Sequence, residues 1–329
     1  MAEREAKPPW SAVPRAVKAE VARILGSPVA SAERMYGGYA PSATFRLVLR
    51  NGRRAFLKST YPLPKGSAVV WGVADEERAY RALGARIRPW APALFGSFDV
   101  DGWHGLVLED LGPADVPPWT ARLVRRAAHD YAAFHRANLG MRPTAVATAT
   151  LWRLFTDRWP KADLSRVARL ARGRGDEALQ WLDVAYPQLR EAGPRLVRAR
   201  TRRTLLHLDT RSDNLRVRRG LRLFDWNFAC VGPRELDVAA FAQSITAEGG
   251  PAPERFVEAY RERLDLDDRL LRLAISAIAG LFAQRAPEPP IPGLPRLRSI
   301  QRRQLRSSLA WAARLNDLPD PGWLAAVPD

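Results

Sequence analysis

Two stretches, LLHLDTRSDN (205–214) and LRLFDWNFA (221–229), hold the residues whose types and spacing could do chemistry. His207, Asp209 and Asn214 fall within eight residues, and Asp225 follows eleven residues after Asn214, at the end of the apolar run LRLF. Phosphoryl transfer needs one carboxylate near the attacking hydroxyl, and a second carboxylate with an amide oxygen to hold Mg²⁺ against the phosphates. Asp209, Asp225 and Asn214 are those residue types. Groups of this kind must sit on loops held by a scaffold, clear of the core.

The neighbouring sequence supplies such a scaffold. TLLH (204–207), LRV (215–217) and LRLF (221–224) read as short strands with Gly220 at a turn, which puts Asp209 and Asn214 on a loop and Asp225 at a strand end. At the start of the chain, Val13, Val17, Val21, Ile24 and Leu25 recur at helical spacing over 11–25, with Ser11 as a cap, Pro14 in the first turn and Gly26 as the stop. SAERMY (31–36), GGYAPS (37–42), TFRLVLR (44–50) and RRAFLKS (53–59) follow as strand, loop, strand and strand. Asn51 and Gly52 suit a two-residue type I′ turn. That register sets Arg50 opposite Arg53, Phe45 opposite Lys58 and Leu47 opposite Phe56, and alternation places Phe45, Leu47, Phe56 and Lys58 on one face. An apolar floor with one lysine suits a purine ring and its phosphates. Taken alone, the same pattern is a half-buried strand with a snorkelling lysine, and Gly37 with Gly38 is a turn.

DEERAYRALG (75–84) reads as a helix that offers Glu76 or Glu77 to Lys58, and ALFGSFDV (93–100) and WHGLVLEDL (103–111), joined by Asp101 and Gly102, complete an antiparallel sheet of about five strands. The Gly- and Pro-rich LGPADVPPW (111–119) interrupts the pattern. It marks a boundary between an N-terminal nucleotide-binding lobe (1–111) and a helical C-terminal lobe (112–329) carrying the catalytic loop and substrate site. Helices are expected over 120–138, 150–159, 162–172, 176–185, 236–247, 252–263, 267–284 and 296–316. The fold class is α+β, with an antiparallel sheet in the first lobe and helices in the second.

Composition sets the outer limits. With 329 residues and 47% hydrophobic content, the chain can bury a sizeable core. One cysteine rules out an internal disulfide framework, and four scattered histidines give no zinc pattern. No apolar run approaches the roughly 20 residues of a membrane span, and MAEREAKPPW has no signal-peptide core. A cytoplasmic protein is expected, with no membrane partner. The net charge of +17 invites a nucleic-acid reading, but the arginines spread over nearly every segment, and the same field would favour an anionic nucleotide. Nucleic acid is therefore not the expected partner.

Order and spacing together resemble the aminoglycoside phosphotransferase and choline kinase family of small-molecule kinases, which has a two-lobed protein kinase-like fold. HLDTRSDN resembles its catalytic loop, and LRLFDWNFACVGPRELDVAAF (221–241) its metal-binding aspartate segment. GGYAPS resembles the phosphate loop, LVLEDL (106–111) the hinge, and AAFHRAN (132–138) the long first helix of the larger lobe. The resemblance implies Asp209 as the carboxylate that orients the substrate hydroxyl or accepts its proton, and Asn214 and Asp225 as Mg²⁺ ligands. It also implies Lys58 on the α- and β-phosphates held by Glu76, backbone groups of Glu109 and Leu111 on the adenine edge, and Ser42 and the amides near Tyr39 on phosphate oxygens. Phe56 and Leu47 would line the base.

Arg211, two residues after Asp209, lies where many protein kinases carry a lysine and would neutralise the transferred group. Two departures stand out: Leu208 where the family has glycine, and Trp226-Asn227 after Asp225. His207 and His135 read as packing residues, and Asp237 as a helix cap or a brace for the catalytic loop. The implied activity moves the γ-phosphoryl group of ATP or GTP to a hydroxyl of a small molecule: an aminoglycoside or macrolide antibiotic, an amino sugar or another metabolite. The alternatives are a catalytically silent nucleotide-binding relative and an Arg-rich nucleic-acid-binding protein.

Overall fold

The computed structural model describes residue 5 and residues 7–36, 42–62 and 72–329. They form two compact units: Met1–Ala114 with Arg222–Asn227 and Ile291–Pro295, and Asp115–Leu221 with Phe228–Pro290 and Arg296–Asp329. The segment that ends in Asp225 thus belongs with the first unit.

The first unit is built on a five-stranded antiparallel sheet of β1 (Val29–Arg34), β2 (Ala43–Leu49), β3 (Arg54–Ser59), β4 (Leu94–Val100) and β5 (Trp103–Leu108), in the order β1-β2-β3-β5-β4. Helix α1 (Arg15–Leu25) begins after Pro14, while Ser11 lies in a preceding single turn, Trp10–Ala12. Gly26 ends α1 with φ 66°, a left-handed value that costs glycine nothing. Val17, Val21 and Leu25 of α1 are buried against Phe45, Leu47, Leu49, Ala55 and Leu57. Helix α2 (Val73–Ile87) packs on β5; Asp75 Oδ2 accepts the Gly72 N–H at 3.1 Å and so caps its start.

The β2–β3 register differs by one residue from that expected of a two-residue turn. Leu49 N–H donates to the Arg53 carbonyl at 2.9 Å, and Phe45 pairs with Leu57, Leu47 with Ala55, Arg46 with Phe56 and Thr44 with Lys58. The loop therefore has three residues, Arg50 to Gly52, of which only Gly52 takes positive φ (79°). A one-residue slip exchanges faces. Phe45 and Leu47 belong to the α1 core, and Lys58 and Phe56 lie on the opposite face. The shared floor of Phe45, Leu47, Phe56 and Lys58 does not exist, and Leu47 is removed from the candidate nucleotide-contacting residues. Packing decides the outcome, because the two-residue register would have put Lys58 beside Phe45 in the α1 core.

The second unit is mainly helical: α3 (Ala121–Ala137), α4 (Arg153–Thr156), α5 (Leu164–Arg169), α6 (Gly175–Arg190), α7 (Ala192–Arg198), α8 (Arg234–Ala247), α9 (Pro253–Arg261), α10 (Asp268–Arg285) and α11 (Leu297–Leu315). Helix α6 runs through Pro187, beyond its expected end, and α7 follows at once in a stretch where sequence periodicity sets no helix. Helix α10 is apolar on nearly every side, and α7, α8 and α11 pack around it. A short antiparallel pair, Thr204–Leu206 with Cys230–Gly232, flanks the loop that carries Asp209. Among the described residues no helix is long and apolar enough to cross a membrane.

Candidate active site

In the first unit, β3 alternation points Lys58 away from the α1 core. Its Nζ lies 2.8 Å from Glu76 Oε2 on α2 and 2.9 Å from Asp225 Oδ1. Glu76 is fully buried, and its other oxygen accepts the Asp225 N–H at 2.8 Å. One carboxylate therefore positions both the amine and the aspartate backbone. Burial alone would lower the Lys58 pKa, but the charges of Asp225 and Glu76 outweigh it and hold the amine protonated. Burial pushes the Glu76 carboxyl up, and Lys58 pulls it back. Glu77, the neighbouring acid, turns instead to Arg81 at 2.7 Å and His104 at 2.8 Å. Asp225 takes φ 67°, unusual outside glycine, and accepts a hydrogen bond from Asn227 Nδ2.

Phe56 stands on the Lys58 face between Arg46 of β2 and Leu108 of β5. Past β5, the Glu109 N–H donates to the Ala93 carbonyl at 2.9 Å, and its carboxylate meets Arg222 at 2.6 Å. Arg46 reaches Asp110, between Glu109 and Leu111, at 3.0 Å. Ser42 is buried at the start of β2. Tyr39 and the glycines at 37 and 38 lie outside the described residues.

In the second unit, the loop after Thr204–Leu206 is anchored by Asp237, near the start of α8. The Asp237 carboxylate is fully buried and accepts the N–H groups of His207 (2.8 Å) and Leu208 (2.7 Å), with His135 Nε2 at 3.2 Å. His135 Nδ1 in turn meets the Tyr260 hydroxyl at 2.8 Å. Burial alone would raise the Asp237 pKa; the bonds from His135 and the His207 N–H more than offset that and hold it below the ordinary value. Leu208, the residue that departs from glycine, takes φ 63°. A left-handed non-glycine residue costs about 1–2 kcal/mol, and the bond from its own N–H to Asp237 helps hold it there.

Asn214 Nδ2 donates to Asp209 Oδ2 at 2.8 Å and to its carbonyl at 3.1 Å. Arg211 stands 3.4 Å from the Asp209 carboxylate and 3.2 Å from Asp213. His207 is buried, and its Nδ1 accepts the Asp209 N–H at 3.3 Å. Asp209, Arg211 and Asn214 thus form one cluster, as Lys58, Glu76 and Asp225 do in the first unit. Among the described residues no group of three or more His, Cys, Asp or Glu side chains could hold a metal ion.

Three carboxylates in the second unit that sequence reasoning passed over also accept backbone N–H groups near this loop. Glu248 takes that of Ser212 at 3.0 Å, Asp115 those of Val217 and Arg218 at 3.0 and 2.8 Å, and Asp130 that of Leu221 at 2.9 Å.

Residues 34–273 match the model of the phosphotransferase enzyme family, APH, and so span both clusters. The chain belongs to that family. No curated protein matches the phosphotransferase. Among solved structures, it is similar to an aminoglycoside phosphotransferase from Alicyclobacillus acidocaldarius (15% identity, TM-score 0.58, covering 95% of this chain and 97% of that one). It is also similar to a choline kinase from Streptococcus pneumoniae (14%, 0.55, 90% and 98%) and to an amicoumacin kinase in complex with AMP-PNP, Ca²⁺ and Ami (13%, 0.51, 83% and 87%). At these identities the likeness is one of fold, and the phosphotransferase has the α+β fold of these kinases.

Proposed function

We propose that this phosphotransferase moves the γ-phosphoryl group of ATP or GTP to a hydroxyl group of a small molecule in the cytoplasm. The observation that carries the reading is Lys58, its amine held between Glu76 and Asp225 at 2.8 and 2.9 Å on the sheet face opposite the α1 core. An ammonium fixed by two carboxylates is a preorganised phosphate clamp that needs no reorganisation when charge arrives. The amicoumacin kinase complex, with nucleotide and divalent cation together, supports the same combination here.

Asp209 aligns the acceptor hydroxyl and takes its proton; Asn214 and Arg211 fix the carboxylate for that task. Arg211 also offsets charge on the transferred group. Phe56 forms the apolar wall for the base, and the backbone of Glu109 and Leu111 reads its edge, with the Glu109 carbonyl as the group concerned because its N–H serves Ala93. Ser42 adds a hydroxyl to the phosphate site. Asn214 and Asp225 fit Mg²⁺ by donor chemistry: both offer hard oxygens, and Asn214 turns its nitrogen to Asp209, leaving oxygen for a cation. When bound, that ion would neutralise phosphate charge.

Aminoglycosides, macrolides, amino sugars and other hydroxylated metabolites are the acceptor classes, and a panel of them with radiolabelled ATP and GTP separates these. Asp209→Ala should lower phosphoryl transfer by about 10³-fold or more while nucleotide affinity stays within twofold of wild type. Undiminished transfer in that variant would refute the reading.

A further inference from the structure

Helix α8 and its C-capping residue carry two carboxylates eleven residues apart, Asp237 and Glu248. Eleven residues are close to three helical turns, so both project from one side of the helix, about 16 Å apart along its axis. Each carboxylate holds one end of the stretch from 207 to 212. Asp237 takes the N–H groups of His207 and Leu208; Glu248 Oε1 takes the Ser212 N–H at 3.0 Å.

Glu248 is itself held. Its Oε2 accepts the indole N–H of Trp119 at 2.8 Å, and the buried Trp119 ring stands edge-on to Phe241 of α8, with ring centroids 6.0 Å apart. Asp115, four residues before Trp119, grips the chain just beyond Asn214 through Val217 and Arg218. The segment 115–119 therefore bears on the loop through Glu248 and on the chain that leaves it through Asp115.

We infer that Glu248, fixed by Trp119, is a positioning residue for the loop that carries Asp209, Arg211 and Asn214. This rests on the proposed role of Asp209. Ser212 lies between Arg211 and Asn214, and the Asn214 N–H bonds the Arg211 carbonyl at 2.9 Å. Pinning the Ser212 amide fixes that turn, and with it the directions from which Arg211 and Asn214 reach the Asp209 carboxylate. Glu248 touches no reacting atom. Its effect is on geometry, so it should alter turnover and leave nucleotide affinity alone.

The test compares wild type, Glu248→Gln, Trp119→Phe and the double variant in the full chain. MgATP is the probe, and three quantities are read: phosphate release, affinity for a fluorescent ADP analogue, and hydrogen exchange at the Ser212 amide. Each single variant should speed Ser212 exchange and slow phosphate release by about tenfold, the scale of one hydrogen bond to a charged group, with ADP affinity changed less than twofold. Because both substitutions break the same link, the double variant should be no worse than the more affected single one. Unchanged Ser212 exchange in both single variants, or losses that multiply to about a hundredfold in the double, would overturn the inference. Should Glu248→Gln not fold, Trp119→Phe alone carries the same readouts. Asp209→Ala, run alongside, separates the two ideas: undiminished phosphate release there defeats the assignment of Asp209, while Ser212 exchange still decides whether the link exists.

Discussion

Replacing Asp237 should destabilise the protein more than any exposed charge substitution, and the size follows from its partners. The carboxylate is fully buried and accepts from three donors: the N–H of His207, the N–H of Leu208 and the ring of His135. Asp237→Ala leaves all three without an acceptor. Each buried donor stranded in this way costs about 1–3 kcal/mol, and since the three share one centre the total should fall near 3–6 kcal/mol rather than at the full sum. That is a large part of the roughly 5–15 kcal/mol by which domains are stable. Asp237→Asn keeps one acceptor oxygen but sets an amide NH₂ against a backbone N–H, so about 2–3 kcal/mol is expected.

Urea unfolding measures the loss, and amide exchange at Leu208 reports where it occurs. The pH dependence supplies a sign. The Asp237 carboxyl is held below its ordinary 3.8, so the folded protein releases that proton more readily than the unfolded chain. Its contribution is complete above the unfolded value and fades as pH falls through the folded one. The stability gap between wild type and Asp237→Asn should therefore narrow below about pH 4. Both variants lying within about 0.5 kcal/mol of wild type, with Leu208 exchange unchanged, would refute the argument.

The observed β2–β3 register separates two residues that the two-residue turn would have placed together. Leu47→Ala should cost about 2–5 kcal/mol and leave nucleotide affinity intact. Phe56→Ala should weaken nucleotide binding at a smaller stability cost, and ADP titration with thermal unfolding of both variants checks the pair. Two helical glycines should respond in opposite directions. A Cβ on Gly193 would stand 2.1 Å from the Thr156 carbonyl oxygen, whereas one on Gly84 of α2 meets nothing within 4 Å. Gly193→Ala should destabilise by about 1–3 kcal/mol or more, and Gly84→Ala should stabilise by about 0.5–1 kcal/mol; urea midpoints distinguish them.

Much of the architecture could be read from periodicity. Valines at helical spacing foretold α1, and alternating apolar runs foretold the five strands and their order along the chain. Register was harder, because two dipeptides with the same turn preference closed different turns. Asp101 and Gly102 both take positive φ (52° and 73°) and join Val100 to Trp103 through two residues. Asn51-Gly52 carries the same signal and yet closes a three-residue loop. A clue was present in the strands themselves. Phe45, Leu47 and Leu49 match Ala55 and Leu57 in apolar character, whereas the other face of β3 carries Arg54, Phe56 and Lys58. Pairing apolar face with apolar face gives the observed register without reference to the turn.

The candidate site divides in the same way, between residues grouped in the chain and residues gathered by the fold. Asp209, Arg211 and Asn214 lie within one loop, so residue type and spacing exposed them together. Their supports come from afar, Asp237 reaching back 30 residues to His207 and Glu248 reaching back 36 to Ser212, and within the first unit Glu76 likewise meets the Asp225 N–H 149 residues away. No local pattern encodes a distance of that kind; only the packing of α8 and α2 supplies it. Leu208 shows what this means for reading departures from a family pattern. A leucine where glycine is usual would suggest that the loop takes another conformation, yet its φ of 63° is the one glycine would provide. The strain is acceptable because Asp237 accepts the N–H of Leu208 and of the residue before it, a benefit that is lost if the loop relaxes. The substitution therefore leaves the backbone path to Asp209 intact and makes that path more dependent on the buried carboxylate beneath it.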